Sequence, residues 1–262
     1  TLSDTLSLHD ALPISFDAAA VTVTGSDSLT GAVARVVDAD AADELLVAAM
    51  GPEGVALYAV DANGPGVHRT PLVTLDLTRP QATIELSDAP ARLLAGADEA
   101  DRVITHALQI GSALLAAEQI GAAQHLLGLS VEYAKSRLKF GRPIGSFQAV
   151  KHRLAEGMVD LEHARSATYH AVWALSDGSD DPALATAIAQ ALSSAAFSRI
   201  ATDTIQVHGG IGFTWEHQAH LYFKRATTDA ALLGSAEAHR DRVARMVLDT
   251  APADRAPRVA TG

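Results

Sequence analysis

Arg137-Leu138-Lys139-Phe140-Gly141-Arg142-Pro143-Ile144, running on through Gly145-Ser146 to Phe147-Gln148, decides how this chain is read. Upstream of it Ile104, Leu108, Leu115, Ile120 and Leu127 recur at helical spacing, which predicts one long helix over Asp101 to Leu138. Gly141 to Gly145, with Pro143 between them, breaks that helix, because proline removes a backbone donor and glycine favours turns. From Ala134 to Arg153 there are six Lys/Arg and no Asp or Glu, in a chain whose net charge is −11. Positive charge concentrated in an acidic protein points to a site for a specific anion, since the background repels polyanions in general. A solvated helix end, with cations at the C-terminal pole of the helix dipole, accounts for the same charges. Charge alone leaves both readings standing.

The composition around this segment narrows the class. The 262 residues hold one large domain or two small ones. At 48% hydrophobic and 19% charged the chain is globular, and with 5% aromatics and abundant alanine it favours closely packed helices. The absence of cysteine excludes disulfides and thiolate metal sites. No run of 18 apolar residues predicts a membrane span. The acidic balance argues against nucleic acid as a partner. The first residues show no basic n-region of a secretory signal, so the cytoplasm is the expected location.

Thr1 to Ser15 fit nothing that follows and read as an unstructured start or an artefact joined to a truncated gene product. Residues 16–95 read as a partial β domain. Val21 and Val23 alternate with threonines, Ala32 to Val37 is mixed, and Leu45 to Ala49 is a short buried-type run. Val55 to Val60 follows the Gly51-Pro52-Glu53-Gly54 turn, Asn63-Gly64-Pro65-Gly66 makes another turn, and Thr83 to Leu86 closes the set. Short strands punctuated by Gly and Pro predict a small antiparallel barrel or sandwich. The character changes at Ala89-Pro90. Residues 100–249 read as helices: the long one, then Phe147 to Leu175, then one opened by Asp181-Pro182 and running to Val207, a short one from Glu216 to Ala226, and a last one from Ala236 to Leu248. Thr214 is the expected N-cap of the short helix. Residues 250–262 form a tail whose Pro and Ala predict disorder. The expected fold class is α+β, a small antiparallel β domain followed by an antiparallel four-helix bundle.

A second segment, Gln206-Val207-His208-Gly209-Gly210-Ile211-Gly212-Phe213, places three glycines in four positions after a helical run. Alone it is a weak signal, most often a helix C-cap and connection. Together and in this order, R-x-x-F-G-x-x-I-x-x-F-Q and Q-x-x-G-G-x-G-F resemble the C-terminal region of the acyl-CoA dehydrogenase family, from about Asp17 to Leu248. The resemblance implies the latter part of a middle β domain and a whole C-terminal bundle, with flavin adenine dinucleotide (FAD) at a subunit interface. By that resemblance Arg137 reaches the diphosphate of a cofactor in the neighbouring subunit, as a guanidinium suits phosphate oxygens. Phe140 packs near the cofactor, Gln148 reaches its adenosine portion, and Gln206, Gly209, Gly210 and Ser235 complete the contacts. Read from the residue alone, Phe140 is a core aromatic.

The family removes two hydrogens from the α and β carbons of an acyl-CoA thioester, and a carboxylate takes the α proton. Most members carry that Glu just before the Gly of the turn preceding the last helix; here Leu232-Leu233-Gly234-Ser235-Ala236-Glu237 stands there, with Leu233 at the base position. Some relatives carry it on the first bundle helix, which corresponds to Gly111. Neither residue accepts a proton. Three readings follow: a base-lacking subunit of a heterotetramer, a self-sufficient dehydrogenase with a displaced base, or an assembly scaffold. Glu237 is the first candidate for a displaced base, although an acidic residue in a helix's first turn also suits the dipole. Asp229 and Glu118 are other carboxylates nearby. The implied partners are the acyl-CoA substrate, further family subunits in a homo- or hetero-tetramer, and an electron-transfer flavoprotein as acceptor. His217 and His220, three apart, show no third metal ligand, and His208 stands where the family often has an apolar residue.

Overall fold

A computed structural model describes residues 20–249 apart from Ser26 and Ser179. The expectations for Thr1 to Ser15, for the start of the β domain before Ala20 and for the tail over 250–262 lie outside the described residues.

Among the described residues seven strands form one sheet: β1 (Val21–Thr24), β2 (Ser28–Val37), β3 (Glu44–Gly51), β4 (Gly54–Asp61), β5 (Val67–Pro71), β6 (Gln81–Pro90) and β7 (Arg92–Ala95), in the order β5-β6-β2-β1-β3-β4-β7. Neighbours are antiparallel except β1 and β3, which meet in parallel at Thr22 and Met50. The exception follows from connectivity: β1 forms a hairpin with β2, β6 takes the other edge of β2, and β3 arrives on the free edge of β1 in the same direction. The sheet folds over, so that β4 meets β6 although three strands separate them in the order. Val21, Leu29, Ala49, Val60, Ile84 and Leu86 fill the space between. This single folded sheet takes the place of the expected barrel or sandwich. The run Leu45 to Ala49 alternates: Leu45 and Ala49 are buried while Leu46 is 66% exposed. The turn at Asn63 to Gly66 needs its last glycine, which sits at φ +77°; a Cβ there would lie 2.3 Å from the Ser87 carbonyl.

The helices are α1 (Ala97–Ser136), α2 (Gln148–Asp177), α3 (Pro182–His208), α4 (Ala219–Asp229) and α5 (Ala236–Leu248). Helix α1 has 40 residues and so extends about 60 Å. Asp181 caps α3 by accepting from the N–H groups of Ala183 and Leu184 at 2.9 and 3.3 Å, with Pro182 in the first turn.

Helix α3 is the centre of the bundle. It packs against α1, α2, α4 and α5, and buries residues around most of its circumference. Its lining is small: Ala185 and Ala189 meet Ala116, Ala171 and Ala174. Larger side chains gather further along, where Phe197 and Ile200 pack with Leu126, Leu127 and Leu161. The paired levels show α1 and α3 running in the same direction with α2 antiparallel between them. Helix α5 returns along α3, with His239 at the level of Thr186. This is the expected bundle, with α4 as a short bridging helix. Buried hydroxyls fix its register: Ser130 donates to Thr204 at 3.1 Å across α1 and α3, and Thr168 and Ser193 share a hydrogen bond of 3.0 Å across α2 and α3.

Leu126 is fully buried in this core, so Leu126→Ala is expected to lower the unfolding free energy by about 2–5 kcal/mol. Leu114→Ala, at a position 64% exposed, is expected to change it by less than about 0.5 kcal/mol. Urea denaturation of the two variants against the parent measures both.

Candidate functional site

The register of α1 on α3 brings the two sequence motifs to one end of the bundle. Tyr133, in the last turn of α1, stacks on His208, the last residue of α3, with ring centroids 4.4 Å apart. The Tyr133 carbonyl accepts the N–H of Arg137 at 2.8 Å, ending the helix. Arg137 then turns extended (φ −73°, ψ 118°) and begins a tight hairpin. Leu138 pairs with Pro143 and Lys139 with Arg142, leaving Phe140 and Gly141 as the two loop residues.

Both loop residues have positive φ, +54° for Phe140 and +75° for Gly141, as a type I′ hairpin turn requires. That turn favours Asn or Gly at its first central position. Phenylalanine there costs about 1–2 kcal/mol of backbone strain. Phe140 is also 93% exposed, touching Phe147 edge-on at 6.2 Å. The structure thus corrects the core reading of Phe140: the hairpin lifts it into solvent. An exposed aromatic on a strained turn is a candidate for a contact outside this chain's own fold. Arg142 lies over the Phe147 ring at 4.1 Å. Of the six cations in this segment, Lys135 pairs with Glu132 and Arg153 with Asp203. Arg137, Lys139, Arg142 and Lys151 have no ion pair among the described residues. The Ile144 N–H donates to the Arg137 carbonyl at 2.8 Å, which returns the chain to start α2 at Gln148, exposed at the same end.

At the same end of the bundle, Gln206, Gly209 and Gly210 are exposed. A Cβ at Gly209 or Gly210 would meet nothing within 4 Å, so packing demands neither glycine, but Gly209 is the C-cap of α3 and its φ of +63° favours glycine there. Gly212 is different: a Cβ there would press on His208 Cβ at 3.0 Å and the Ile205 carbonyl at 3.2 Å. Thr214 does not cap α4. It ends the 3-10 turn over Gly209–Phe213, its hydroxyl donating to the Ile211 carbonyl at 2.9 Å. Gln218 is the N-cap and its side chain makes no capping bond; the Ala219 N–H is instead accepted at 3.1 Å by Nδ1 of His217, whose ring lies 4.4 Å from that of His208. A histidine two residues before the helix start carries no standard capping signal, which is why the sequence reading missed it. Among the described residues no three His, Asp or Glu converge as a metal site needs.

The remaining candidates lie elsewhere. Gly111 and Leu233 meet: a Cβ built on Gly111 would touch Leu233 Cδ1 at 3.3 Å. The two positions at which the family resemblance expects a base therefore converge on one spot, and an apolar side chain fills it. Leu233 (φ +57°) and Gly234 (φ +105°) form a left-handed turn. Buried His239 holds that turn by donating from Nε2 to the Leu233 carbonyl at 2.9 Å. Ser235 is the N-cap of α5, accepting the Ala238 N–H at 3.2 Å. Glu237 is exposed and pairs with Arg240 at 3.3 Å. Hydrogen bonds from its own N–H, then from Ser235 and Arg240, hold its carboxyl below the ordinary carboxylate value, the reverse of what proton abstraction needs. Gly111 and Arg137 are separated by 26 helical steps of α1, about 39 Å. One chain thus presents two separate groups of candidate residues, one at each end of its bundle.

A family model for the acyl-CoA dehydrogenase C-terminal domain matches residues 102–248. The chain is a member of the acyl-CoA dehydrogenase family. It is 41% identical over 239 residues to acyl-CoA dehydrogenase IpdE2 of Mycobacterium tuberculosis, across 90% of this chain and 67% of that protein. Among solved structures it is similar to the ChsE4-ChsE5 complex from Mycobacterium tuberculosis (32% identity, TM-score 0.82, covering 92% of this chain and 66% of that one). It is also similar to a Tcur3481-Tcur3483 steroid ACAD (32% identity, TM-score 0.78, covering 87% and 62%). The chain thus spans about two thirds of the length of these relatives. Among its described residues no helix is long and apolar enough to cross a membrane.

This acyl-CoA dehydrogenase family chain also contains a charge cluster that sequence reading did not assemble. Arg79 donates to both oxygens of Glu118 at 2.8 and 2.9 Å and lies 3.3 Å from Asp229. Arg225 reaches Asp76 at 2.9 Å, Glu118 at 3.0 Å and the Thr78 hydroxyl at 2.6 Å. The cluster joins the β5–β6 connection to α1 and α4. Its members come from sequence positions too far apart for spacing to reveal. It also accounts for Glu118 and Asp229, two of the candidate carboxylates, as members of an ion-pair network. Asp229 is fully buried, and burial, opposed by Arg79, pushes its carboxyl up to about 7.

A carboxyl raised from 3.8 to about 7 binds its proton more tightly in the folded state. Its contribution to stability is fully present below the ordinary value and is lost as pH rises to about 7. Asp229→Asn is expected to remove this component. Denaturation midpoints of parent and variant from about pH 4.5 to 8 measure it: the difference between them should change across that range, and parallel profiles would refute it.

Proposed function

We propose that this chain is a subunit of a heteromeric acyl-CoA dehydrogenase that helps hold FAD and lacks its own proton-abstracting carboxylate. The observation that carries this reading is the contact between Gly111 and Leu233. Both positions at which family members place the base point into one spot, and a leucine occupies it. A displaced base gains no support from Glu237, which is exposed, ion-paired and easily ionised. Asp229 is buried in the charge cluster, seven helical positions along α1 from Gly111 at the level of Glu118, about 10 Å.

The residues at the hairpin end fit a dinucleotide. Arg137 offers a guanidinium without a competing carboxylate, Phe140 an exposed ring, and Gly209 and Gly210 backbone that a ligand can approach closely. In this reading Arg137 binds the diphosphate, Phe140 excludes water beside it, and Gln148, Gln206 and Gly210 orient the adenine end. Ser235, at the other end, meets a different cofactor copy. The flavin, when bound, supplies the hydride acceptor. Leu233 cannot take the α proton, so the assembly draws that proton to a carboxylate on another family subunit. The separation of about 39 Å between the two groups of residues suits an oligomer in which each cofactor is shared. The assembled enzyme would convert an acyl-CoA to the trans-2-enoyl-CoA and pass electrons to an electron-transfer flavoprotein. The similar ChsE4-ChsE5 complex and Tcur3481-Tcur3483 steroid ACAD are each named for two chains, which supports a heteromer here.

The test is flavin content and acyl-CoA-dependent flavin bleaching, measured on the full-length gene product alone and co-expressed with a second family subunit. Bleaching only with the partner is the expected outcome. Turnover by the chain alone would refute the base-lacking reading, and a flavin-free complex would leave an assembly scaffold. Arg137→Ala is expected to weaken flavin retention about 10- to 100-fold, the loss of a charge-assisted bidentate contact. Unchanged flavin content would remove Arg137 from the site.

A further inference from the structure

We infer that His217 is a positioning residue that holds the Gly-rich turn only while its imidazole is neutral, so that acidification releases the turn together with the cofactor it meets. The cofactor half of this inference rests on the proposed function above. The latch itself rests on three rings: Tyr133 on α1, His208 at the end of α3, and His217 before α4, each 4.4 Å from the next. The Gly-rich turn over Gly209–Phe213 leaves His208 directly. On its far side it is tied by His217, whose backbone N–H meets the Thr214 carbonyl at 3.3 Å and whose ring returns to His208.

The hydrogen bonds dictate the protonation state. His208 Nδ1 lies 2.8 Å from the Thr204 carbonyl, which can only accept, so this nitrogen carries a proton. His217 Nδ1 accepts the N–H of Ala219, so it must be bare, and the His217 proton sits on Nε2. A protonated His217 cannot accept that bond. It would lose its hold on the first N–H of α4 and place a cation against two other imidazoles. The groups around it offer no compensation. His208 from α3 and His220 from α4 both oppose a charge on it, Tyr133 of α1 stacks on His208, and His125 of α1 pairs with Gln218. Lys224 is a cation already lying over Trp215 at 4.4 Å, and Glu216 is exposed. Among the described residues no carboxylate stands within ion-pair distance of His217. Burial, then His208 and His220, hold its pKa below the ordinary 6.5. The sign follows. The folded state binds the proton less well than the unfolded chain. The latch is therefore intact above the ordinary imidazole value and is lost as pH falls through the lower folded one.

Trp215 provides a readout that does not depend on flavin. Its ring lies 4.9 Å from His220, two residues from the latch. The other tryptophan, Trp173, lies beside His170 away from the latch and would add unrelated emission, so the test is made in Trp173→Phe. Trp215 emission and bound flavin are followed from about pH 8 to about pH 5, with and without His217→Asn. Asn places an acceptor oxygen near the Nδ1 position and does not titrate. The parent is expected to show one shared midpoint for emission change and flavin loss, below about pH 6.5, and His217→Asn to abolish both or lower both midpoints by about one pH unit or more. His217→Lys, a fixed cation, is expected to show the acid-form emission already at about pH 8, which keeps the test open if the Asn variant fails to fold. Identical profiles in parent and His217→Asn would overturn the latch. An emission change abolished by Asn, with flavin indifferent to pH in both proteins, would keep the latch and overturn its link to the cofactor.

Discussion

Helix α3 is buried around most of its circumference, and the rest of the molecule follows from the need to cover it. Its small side chains let four other helices approach closely, but small side chains alone specify axial position poorly. Buried hydroxyls supply what alanine cannot. Ser130 must find Thr204, and Thr168 must find Ser193, because an unpaired hydroxyl in this interior costs about 1–3 kcal/mol. A slip of one turn would lose both bonds. The same register seats Tyr133 on His208, so the packing of the bundle interior is also what brings two distant sequence motifs to one end.

At the opposite end, the position where the family resemblance expects a base holds Leu233 against Gly111. The left-handed turn at Leu233 and Gly234, the His239 hydrogen bond and the Ser235 cap form a complete scaffold around position 233. A carboxylate held there would be partly desolvated, and its ionised form would be disfavoured. Leucine packs against Gly111 without that cost. Under the proposed function, the proton-accepting carboxylate comes from another subunit and this position contributes packing alone.

The helices were legible in the sequence because their ends are marked by strong signals. Asp181-Pro182 opens α3, and the R-x-x-F-G segment stops α1 one residue before Arg137. Strands with apolar alternation were found as well. The edge strands β5 and β7 were not, since β5 is mostly polar and β7 is only four residues long. Nor was the short hairpin after α1, whose turn carries phenylalanine where Asn or Gly is the usual signal. At the site, residue types pointed to Arg137 and the glycines, but not to what surrounds them. The His208–His217 contact and the Arg79–Glu118–Arg225–Asp229 cluster join residues from different elements, and no local spacing encodes such meetings. Position 233 was the converse case, where the family pattern exposed a substitution and the structure supplied its packing reason.

The turn at Phe140 bears on how this protein should be engineered. Replacing Phe140 by Asn or Gly would relieve a strained backbone, and no internal contact of consequence would be lost. A screen that rewards thermal tolerance of the isolated chain would therefore favour removing this residue. Melting temperature is a misleading objective at such a position. If Phe140 meets the cofactor as proposed, stabilisation campaigns on this protein should hold it constant, and seek their gains in the sheet and the bundle interior instead.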